Sequence, residues 1–389
     1  MTEGPPPGVT LPRLAAYFLR LGATGFGGPV ALANHMRRDL VETRGWLSES
    51  EYEDGMAVAT VCPGPLAYQL GVYCGYVRFG ARGALSVALA FALAPFLIVT
   101  VFAALYTDFS GSWVLRALFY GVAPVIVALI LKASWQLGRK TLKADIVGWL
   151  MAAIAATVTA LLQRELAVLF IGAGVLGSLW WSRGQAVPPA PKPTGTTGAL
   201  LAVGGAGMQA PSAKLFLFFF KTAFLVFGSG LVIAPFLKAY VVDQYHWLDD
   251  RQFLDAVAVG MITPGPVVIT ATFVGYLLDG LLGAGAATAG IFSPSVILTM
   301  IAAPLLKRHR KNPYVQGFVK GVVAAVVGAL LGTTVLVARH AIGDVFTAVA
   351  AIVALIVVVR WNKLPEPLIV LVAALAGLAA YPWLQPMWV

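Results

Sequence analysis

Two short motifs combine residues that interrupt helices with backbone groups that bind anions. They are Pro63-Gly64-Pro65 and Thr263-Pro264-Gly265-Pro266. Each motif lies inside an apolar run, where two prolines flanking a glycine are expected to break the helix, with a simple kink as the alternative. The second proline suits the first turn of a new helix, because its missing N–H would have no partner there. The free N–H groups and positive dipole of that new helix would form an anion site, and two such sites could face one ion.

The other candidate substrate-binding residues also occupy matching places in the two halves of the chain. Glycine-rich segments that could let the backbone approach an ion contain Gly27, Gly28, Gly228 and Ser229. The first apolar run of each half contains a cation, Arg20 or Lys221, which would suit an anion. Gln69 and Thr270 stand just inside the predicted new helices, where they could donate hydrogen bonds to oxyanion oxygens. Close helix packing, snorkelling cations and ordinary polar packing are the structural alternatives for these three groups.

The composition is that of a chain surrounded by a lipid bilayer. Of its 389 residues, 59% are hydrophobic and only 11% are charged, and the mean hydropathy is +0.84. Soluble proteins carry about 25% charged residues, whereas helices in lipid must be apolar on their outer face as well. The sequence therefore predicts an all-α polytopic membrane protein with discontinuous helices at the two Pro-Gly-Pro breaks.

Several partners and reactions are not expected from this sequence. The net charge of +10 comes mostly from Lys and Arg in short loops between apolar runs, so no nucleic-acid partner is predicted. The four histidines are scattered, and Cys62 and Cys74 lack a metal or redox spacing, so we predict neither a metal nor a cofactor. The sequence contains no HExxH, GxSxG or paired-acid site, so we do not expect an enzyme.

The chain is predicted to be a tandem duplication. Six features recur in the same order at an offset of 201 or 200 residues, including Trp46 with Trp247 and Gly121 with Gly321. A Pro-rich stretch separates the two copies. We therefore expect an N-terminal transmembrane repeat over 1–182, a cytoplasmic linker over 183–213 and a C-terminal transmembrane repeat over 214–389.

Loop charges indicate that the two repeats cross the membrane in opposite directions. The loop after the second apolar run carries Arg78 and Arg82 in the first half, but only Asp279 in the second. The next loop reverses this pattern, with Asp108 in the first half and basic residues within 307–311 in the second. Because cytoplasmic loops are enriched in Lys and Arg, the repeats are predicted to have inverted topology, as in many secondary transporters. We expect the first two apolar runs of each half to cross the membrane once between them, giving about ten crossings in all.

In these motifs the sequence resembles the chromate ion transporter family, in its long two-domain form. The resemblance covers nearly the whole chain and is most specific at 26–29, 44–47, 63–65 and 263–276. It implies a secondary transporter that exports chromate and gives chromate resistance, with sulfate or another oxyanion, including by uptake, as the alternative. We expect a multi-pass protein of the bacterial inner membrane and leave open whether it forms a homodimer.

Overall fold

The apolar segments of the sequence form long helices. The computed structural model describes residues 9–25, 28–109, 113–162, 167–183, 211–224, 226–228, 233–309, 312–361, 364 and 366–384. Four of the helical segments in these ranges are long and apolar enough to cross a membrane, namely Leu66–Asp108, Arg116–Arg139, Val267–Pro304 and Pro313–Arg339. Shorter apolar helices accompany them at Ile146–Leu161, Leu169–Trp181, Val345–Arg360 and Leu368–Trp383. The protein is an all-α polytopic membrane protein.

The helices of the two halves follow the same order, although the short strands occupy different places and a 3-10 turn occurs in the described C-terminal half alone. The described N-terminal half contains α1 (Leu11–Thr24), α2 (Gly28–Met36), a π-helical segment (Arg37–Thr43), α3 (Glu49–Val61), β1 (Gly64–Pro65), α4 (Leu66–Phe109), α5 (Trp113–Thr141), α6 (Ile146–Leu162) and α7 (Ala167–Trp181). The described C-terminal half contains α8 (Pro211–Ala223), β2 (Phe227–Gly228), α9 (Ile233–Phe236), a π-helical segment (Leu237–Gln244), α10 (Asp250–Ile262), a 3-10 turn (Val267–Ile269), α11 (Thr270–His309), α12 (Pro313–Ala341), α13 (Val345–Arg360) and α14 (Glu366–Leu384).

The C-terminal half begins slightly earlier than predicted. Helix α8 starts at Pro211, because proline is well tolerated in the first turn of a helix. Residues 211–213 therefore belong to α8 and not to the expected linker. The stretch 184–210 of that linker lies outside the described residues.

Helix α3 and the first part of α4 form a hairpin that returns to the face from which it started. The Arg78 side chain, near the end of the hairpin, forms an ion pair with Glu51 at its beginning. Halfway along the hairpin, Gly55 lies against the Tyr73 ring. Glu51 contacts Arg78, and further along the hairpin Gly55 contacts Tyr73, so the contacting residues are closer in sequence the further one goes. The turn therefore lies between Gly55 and Tyr73, with Gly64 at its tip.

Helix α1 and the segment that follows it form a similar hairpin. The Arg44 guanidinium lies 5.4 Å from the centre of the Tyr17 ring, and Trp46 lines the same cavity as Arg13, so the chain has returned along α1 towards its start. In the C-terminal half, the Trp247 and Phe218 rings meet at 5.5 Å in the equivalent place. The expectation that the first two apolar runs cross the membrane once between them is therefore wrong. Each run is divided into helices too short to span the bilayer, such as the 13-residue α3, which is about 20 Å long.

A second tight turn follows the α3–α4 hairpin in each half. Gly80 and Gly280 have φ values of 60° and 55°, a left-handed conformation that glycine adopts without a steric penalty. Beyond these turns the helical segments 81–109 and 281–309 run back along the hairpin. The long segment of α4 is thus a hairpin arm followed by a separate, fully spanning helix.

Removing the Arg78 side chain should destabilise the α3–α4 hairpin. Burial raises the pKa of Glu51, but the hydrogen bond from the Ser48 amide and the charge of Arg78 outweigh this effect and leave the pKa below its ordinary value. Arg78→Gln is expected to cost about 2 kcal/mol, because it leaves a partly buried carboxylate without its cation. Thermal unfolding in detergent should show that Glu51→Gln with Arg78→Gln costs less than the sum of the single variants. Additive losses would contradict this coupling.

The two halves pack against each other in a reciprocal way. Helix α5 packs against α13 and α14 of the other half, and its counterpart α12 packs against α6 and α7. A Cβ on Gly121 would lie 2.0 Å from the Ala373 carbonyl oxygen, and one on Gly321 would lie 2.0 Å from the Ala173 carbonyl oxygen. Gly321 stands 200 residues after Gly121, and Ala373 stands 200 residues after Ala173. Equivalent positions of the two halves therefore make the same contact twice. Such reciprocity is the signature of a twofold relation between equivalent units.

Polar contacts repeat this reciprocity. The Tyr120 hydroxyl, near the start of α5, donates to Asp344 Oδ2 at 2.6 Å, just after the end of α12. In the equivalent place Lys320, near the start of α12, forms an ion pair with Asp145, just after the end of α5. In each half, a residue near the start of α5 or α12 therefore forms a polar contact with the turn that follows the equivalent helix of the other half.

Candidate functional site

The hairpin tips of the two halves meet through backbone hydrogen bonds. The Gly64 amide donates to the Val226 carbonyl oxygen at 2.5 Å, and the Gly265 amide donates to the Gly25 carbonyl oxygen at 2.9 Å. The short strands β1 and β2 pair in parallel, with Gly64 opposite Phe227. The Pro-Gly-Pro tip of each half therefore lies against the first hairpin of the other half.

Glycine is required at the centre of each tip. Gly64 has a φ of 136° and Gly265 a φ of 98°, a region that residues with a side chain rarely adopt. Their amides already have carbonyl partners, so these two N–H groups are not free for an ion. The amides that lack a partner within their own helix are those in the first turn of the helix that follows.

The helices that follow the two tips begin differently. Helix α4 starts directly at Leu66. In the C-terminal half a 3-10 turn precedes α11, and there the Ile269 amide donates to the Pro266 carbonyl oxygen at 3.0 Å. The Thr270 hydroxyl also donates within this turn, to the Val267 carbonyl oxygen at 2.8 Å. At the second tip, more of the polar groups therefore have hydrogen-bond partners within the tip itself than at the first tip.

Three fully buried polar side chains accompany the first tip. They are Gln69, Ser295 and Thr299, each with 0% of its surface exposed. The Gln69 amide nitrogen donates to the Pro63 carbonyl oxygen at 2.6 Å. Gln69 Oε1, Ser295 Oγ and Thr299 Oγ1 have no hydrogen-bond partner among the described residues. Since unpaired buried polar atoms are costly, the two hydroxyls mark a place where a ligand that accepts hydrogen bonds could supply the missing partner, whereas Gln69 Oε1 would need a donor or a cation.

Gly64 lets these polar groups lie directly against the backbone of the tip. A Cβ added to Gly64 would lie 2.3 Å from Ser295 Oγ and 2.6 Å from Gln69 Nε2. Ser295 and Thr299 were not identified from the sequence. Their spacing of four residues puts them on one face of α11, and two hydroxyl residues so spaced in an apolar run were the available signal.

Comparison with known proteins identifies the family to which this sequence belongs. A family model described as chromate transporter matches residues 12–178 and matches again at 213–378. The chain belongs to the chromate transporter family. The two matches together cover most of the chain, and they start at equivalent positions of the two halves.

Relatives in this family align over almost their whole length. A chromate transport protein of Cupriavidus metallidurans is 43% identical over 387 residues, which cover 97% of this chain and 95% of the relative. A probable chromate transport protein of Synechococcus elongatus is 42% identical over 390 residues, with 95% and 96% covered. A chromate transport protein of Pseudomonas aeruginosa is 32% identical over 402 residues, with 98% and 95% covered. No solved structure matches the chain.

Other predicted binding residues of this chromate transporter family member lie at or beside the tips. Gly28 is the first residue of α2, and Gly228 lies in β2. The Thr263 hydroxyl donates to the Val259 carbonyl oxygen at 2.7 Å, so it caps α10 and faces its own helix. Pro65 and Phe227 belong to the paired strands. Gly27 and Ser229 lie outside the described residues.

The two predicted cations are exposed and do not lie at the tips. Arg20 stands more than one helical turn before Gly25 and lines a cavity of about 230 Å³ with Thr24, His35 and Arg44, among others. Arg20 and Arg44 also line an adjoining cavity of about 610 Å³. Lys221 is exposed at the equivalent place in α8. The cavity beside α1 is therefore a vestibule with two arginines and one acidic residue, Asp39, and it reaches Thr24, next to the Gly25 that contacts the second tip.

A second basic cavity lies beside the start of α10. Its volume is about 460 Å³, and its lining includes Arg116, Arg251 and Arg339. Asp255 lies in its wall, where it accepts a hydrogen bond from the Tyr106 hydroxyl at 2.7 Å. The family member thus has arginine-lined cavities at the first hairpin of one half and at the second hairpin of the other.

Proposed function

We propose that this protein is a secondary transporter that exports chromate across the bacterial inner membrane and so gives chromate resistance. The observation that carries the proposal is the meeting of the two Pro-Gly-Pro tips with the opposite halves, at Gly64 and Gly265. Interrupted helices at the interface of two repeats are the usual binding sites of secondary transporters. The names of the full-length relatives support chromate as the ion.

We further propose that the two halves have inverted topology. The start of α5 lies beside the turn after α12, through Tyr120 and Asp344, and the start of α12 lies beside the turn after α5, through Lys320 and Asp145. Equivalent helices that run in opposite directions support inversion across the membrane. In this arrangement Arg183 and Pro211 lie on opposite faces, which is at odds with a wholly cytoplasmic linker.

The two arginine-lined cavities and the hairpin tips suggest a route for an anion. The anion would enter at one cavity, pass the tips and leave at the other cavity. The basic face around Arg44, Arg78 and Arg82 is cytoplasmic by the positive-inside rule, so the cavity that Arg20 lines is the entrance for export. The cavity that Arg116 lines is then the exit. The electrical free energy of an anion falls by about 2.3 kcal/mol per charge per 100 mV when it leaves a negative-inside cell, so the membrane potential itself can drive export of a dianion.

Chromate uptake into everted membrane vesicles tests the proposal. Vesicles containing the protein should accumulate chromate above vesicles from cells that lack it, and a negative-inside potential in right-side-out vesicles should oppose uptake. Pro264→Ala is expected to reduce the uptake strongly, because it removes one of the two prolines that shape the tip. Equal accumulation with and without the protein would overturn chromate export.

The entrance vestibule should act through its charge. Arg20→Ala is expected to lower chromate uptake into everted vesicles about tenfold at low salt, because basic clefts concentrate anions. The loss should shrink in 0.5 M salt, where the Debye length falls to about 4 Å. Arg82→Ala, an exposed cation on the same face that does not line this cavity, is the matched control. An equal loss in both variants at every salt concentration would contradict a local role for Arg20.

Sulfate is the second candidate substrate. The polar groups around Gly64 are an amide and a hydroxyl. Both can donate hydrogen bonds to the oxygens of any tetrahedral oxyanion. Excess sulfate is therefore expected to suppress chromate uptake. Sulfate uptake without chromate uptake would leave the oxyanion route in place with a different substrate.

A further inference from the structure

We propose that the oxyanion binds at one asymmetric subsite, on the Gly64 tip, with Ser295 and Thr299 as hydrogen-bond donors beside Gln69 and the first turn of α4. The inference rests on the proposed function and names the residues that hold its ion. It differs from the sequence-based expectation, in which sites at both tips could face one ion.

The chemistry around the two tips is not equivalent. At the first tip the atoms nearest to the missing Gly64 side chain are Ser295 Oγ and Gln69 Nε2. At the second tip, the atom nearest to the missing Gly265 side chain is the Pro95 Cγ, at 2.7 Å. Pro95 occupies the position of Ser295 at an offset of 200, so a hydrocarbon ring replaces the hydroxyl.

The next turn of the same helices repeats this difference. Thr299 stands one turn after Ser295, and Val99 stands at its equivalent position in α4. Gln69 is matched by Thr270, whose hydroxyl is used within its own turn. At the first tip an unpartnered buried hydroxyl therefore lies against the glycine, whereas at the second tip a proline ring does; Thr100, the unpartnered hydroxyl residue of α4, follows Pro95 by five positions.

These groups suit a partly dehydrated tetrahedral anion. Ser295 and Thr299 each have an O–H to donate, and Gln69 has a second N–H beyond the one used by Pro63. Helix α4 adds the unpaired amides and positive dipole of its first turn. Neutral donors bind a dianion more weakly than cations would, which favours release on the far side of a carrier.

Binding measured on the purified protein tests this assignment. Chromate and sulfate affinities should be measured by calorimetry in detergent for the wild type, Ser295→Ala and Thr299→Val. Each variant is expected to bind about tenfold more weakly, because one hydrogen bond to a charged group is lost. The unliganded thermal midpoint should not fall, since each substitution removes a buried hydroxyl that has no partner.

Matched controls separate this effect from general damage. Ser134→Ala and Thr334→Val remove buried hydroxyls that donate to the Ile130 and Leu330 carbonyl oxygens of their own helices, and they should leave the affinities unchanged. Wild-type affinity in both Ser295→Ala and Thr299→Val would overturn the subsite while chromate transport by the wild type could still stand. Binding of sulfate but not chromate, lost in Ser295→Ala, would support the subsite and contradict the chromate assignment. Stabilisation by sodium alone, lost in Ser295→Ala, would assign a cation to these oxygens and overturn the anion subsite.

Discussion

Replacing Gly64 by alanine is expected to abolish chromate transport, lowering the uptake rate by about a hundredfold or more. A non-glycine residue at a φ of 136° is strained, and its Cβ would lie 2.3 Å from Ser295 Oγ. Strain of this kind costs about 1–3 kcal/mol, and displacing the adjacent donors adds to it. A total of about 3 kcal/mol corresponds to a hundredfold loss in rate. The measurement is initial chromate uptake into everted vesicles, normalised to the amount of protein in the membrane.

The control for Gly64→Ala is Gly172→Ala in α7. A Cβ on Gly172 meets no atom within 4 Å, and its helical backbone suits alanine. Gly172→Ala should therefore transport at the wild-type rate. Wild-type uptake by Gly64→Ala would contradict a role for the first tip in the transport route.

The second large effect is expected where the two halves touch. Gly321→Ala would put a Cβ 2.0 Å from the Ala173 carbonyl oxygen, and because the obstacle is backbone, it can be relieved only by separating α12 from α7. Close helix approach at small residues is a main source of stability in membrane proteins. Overpacking of this kind costs about 3 kcal/mol, or roughly 10 °C in the thermal midpoint. Gly121→Ala should have a similar effect, because it makes the equivalent contact with Ala373.

Thermal unfolding in detergent checks this prediction, with Gly285→Ala as the control. A Cβ on Gly285 meets no atom within 4 Å, and the residue lies in α11. If Gly321→Ala and Gly285→Ala unfold at the same temperature, the contact between α12 and α7 does not hold the halves together.

The class of the fold could be predicted from the sequence, because lipid imposes a strong compositional rule. The apolar runs and the recurrence of features such as Gly121 and Gly321 also pointed to two equivalent units. The hairpins could not be predicted, because two short helices joined by a break can either cross the membrane or form a hairpin that returns to the same face. Both arrangements use the same number of residues. A contact between residues far apart in sequence, such as that between Glu51 and Arg78, distinguishes the two.

The candidate site was predictable in part, for a similar reason. Gly64 and Gly265 were singled out because proline and glycine reveal a broken helix wherever they occur together. Ser295 and Thr299 were missed, because a hydroxyl residue within an apolar helix usually donates to its own backbone, as Ser134 does. Their unpartnered state depends on tertiary packing, which residue spacing does not encode. The roles of Arg20, Lys221 and the remaining candidates stay predictions.

Labelling of single cysteines from each side of the membrane tests the inverted arrangement most directly. The natural Cys62 and Cys74 are buried and would be replaced by alanine. Ala144 and Gly343 are exposed residues in equivalent turns, after α5 and after α12. We expect a membrane-impermeant thiol reagent to label Ala144→Cys only in everted vesicles and Gly343→Cys only in intact cells with a permeabilised outer membrane. Labelling of both cysteines from the same side would contradict it.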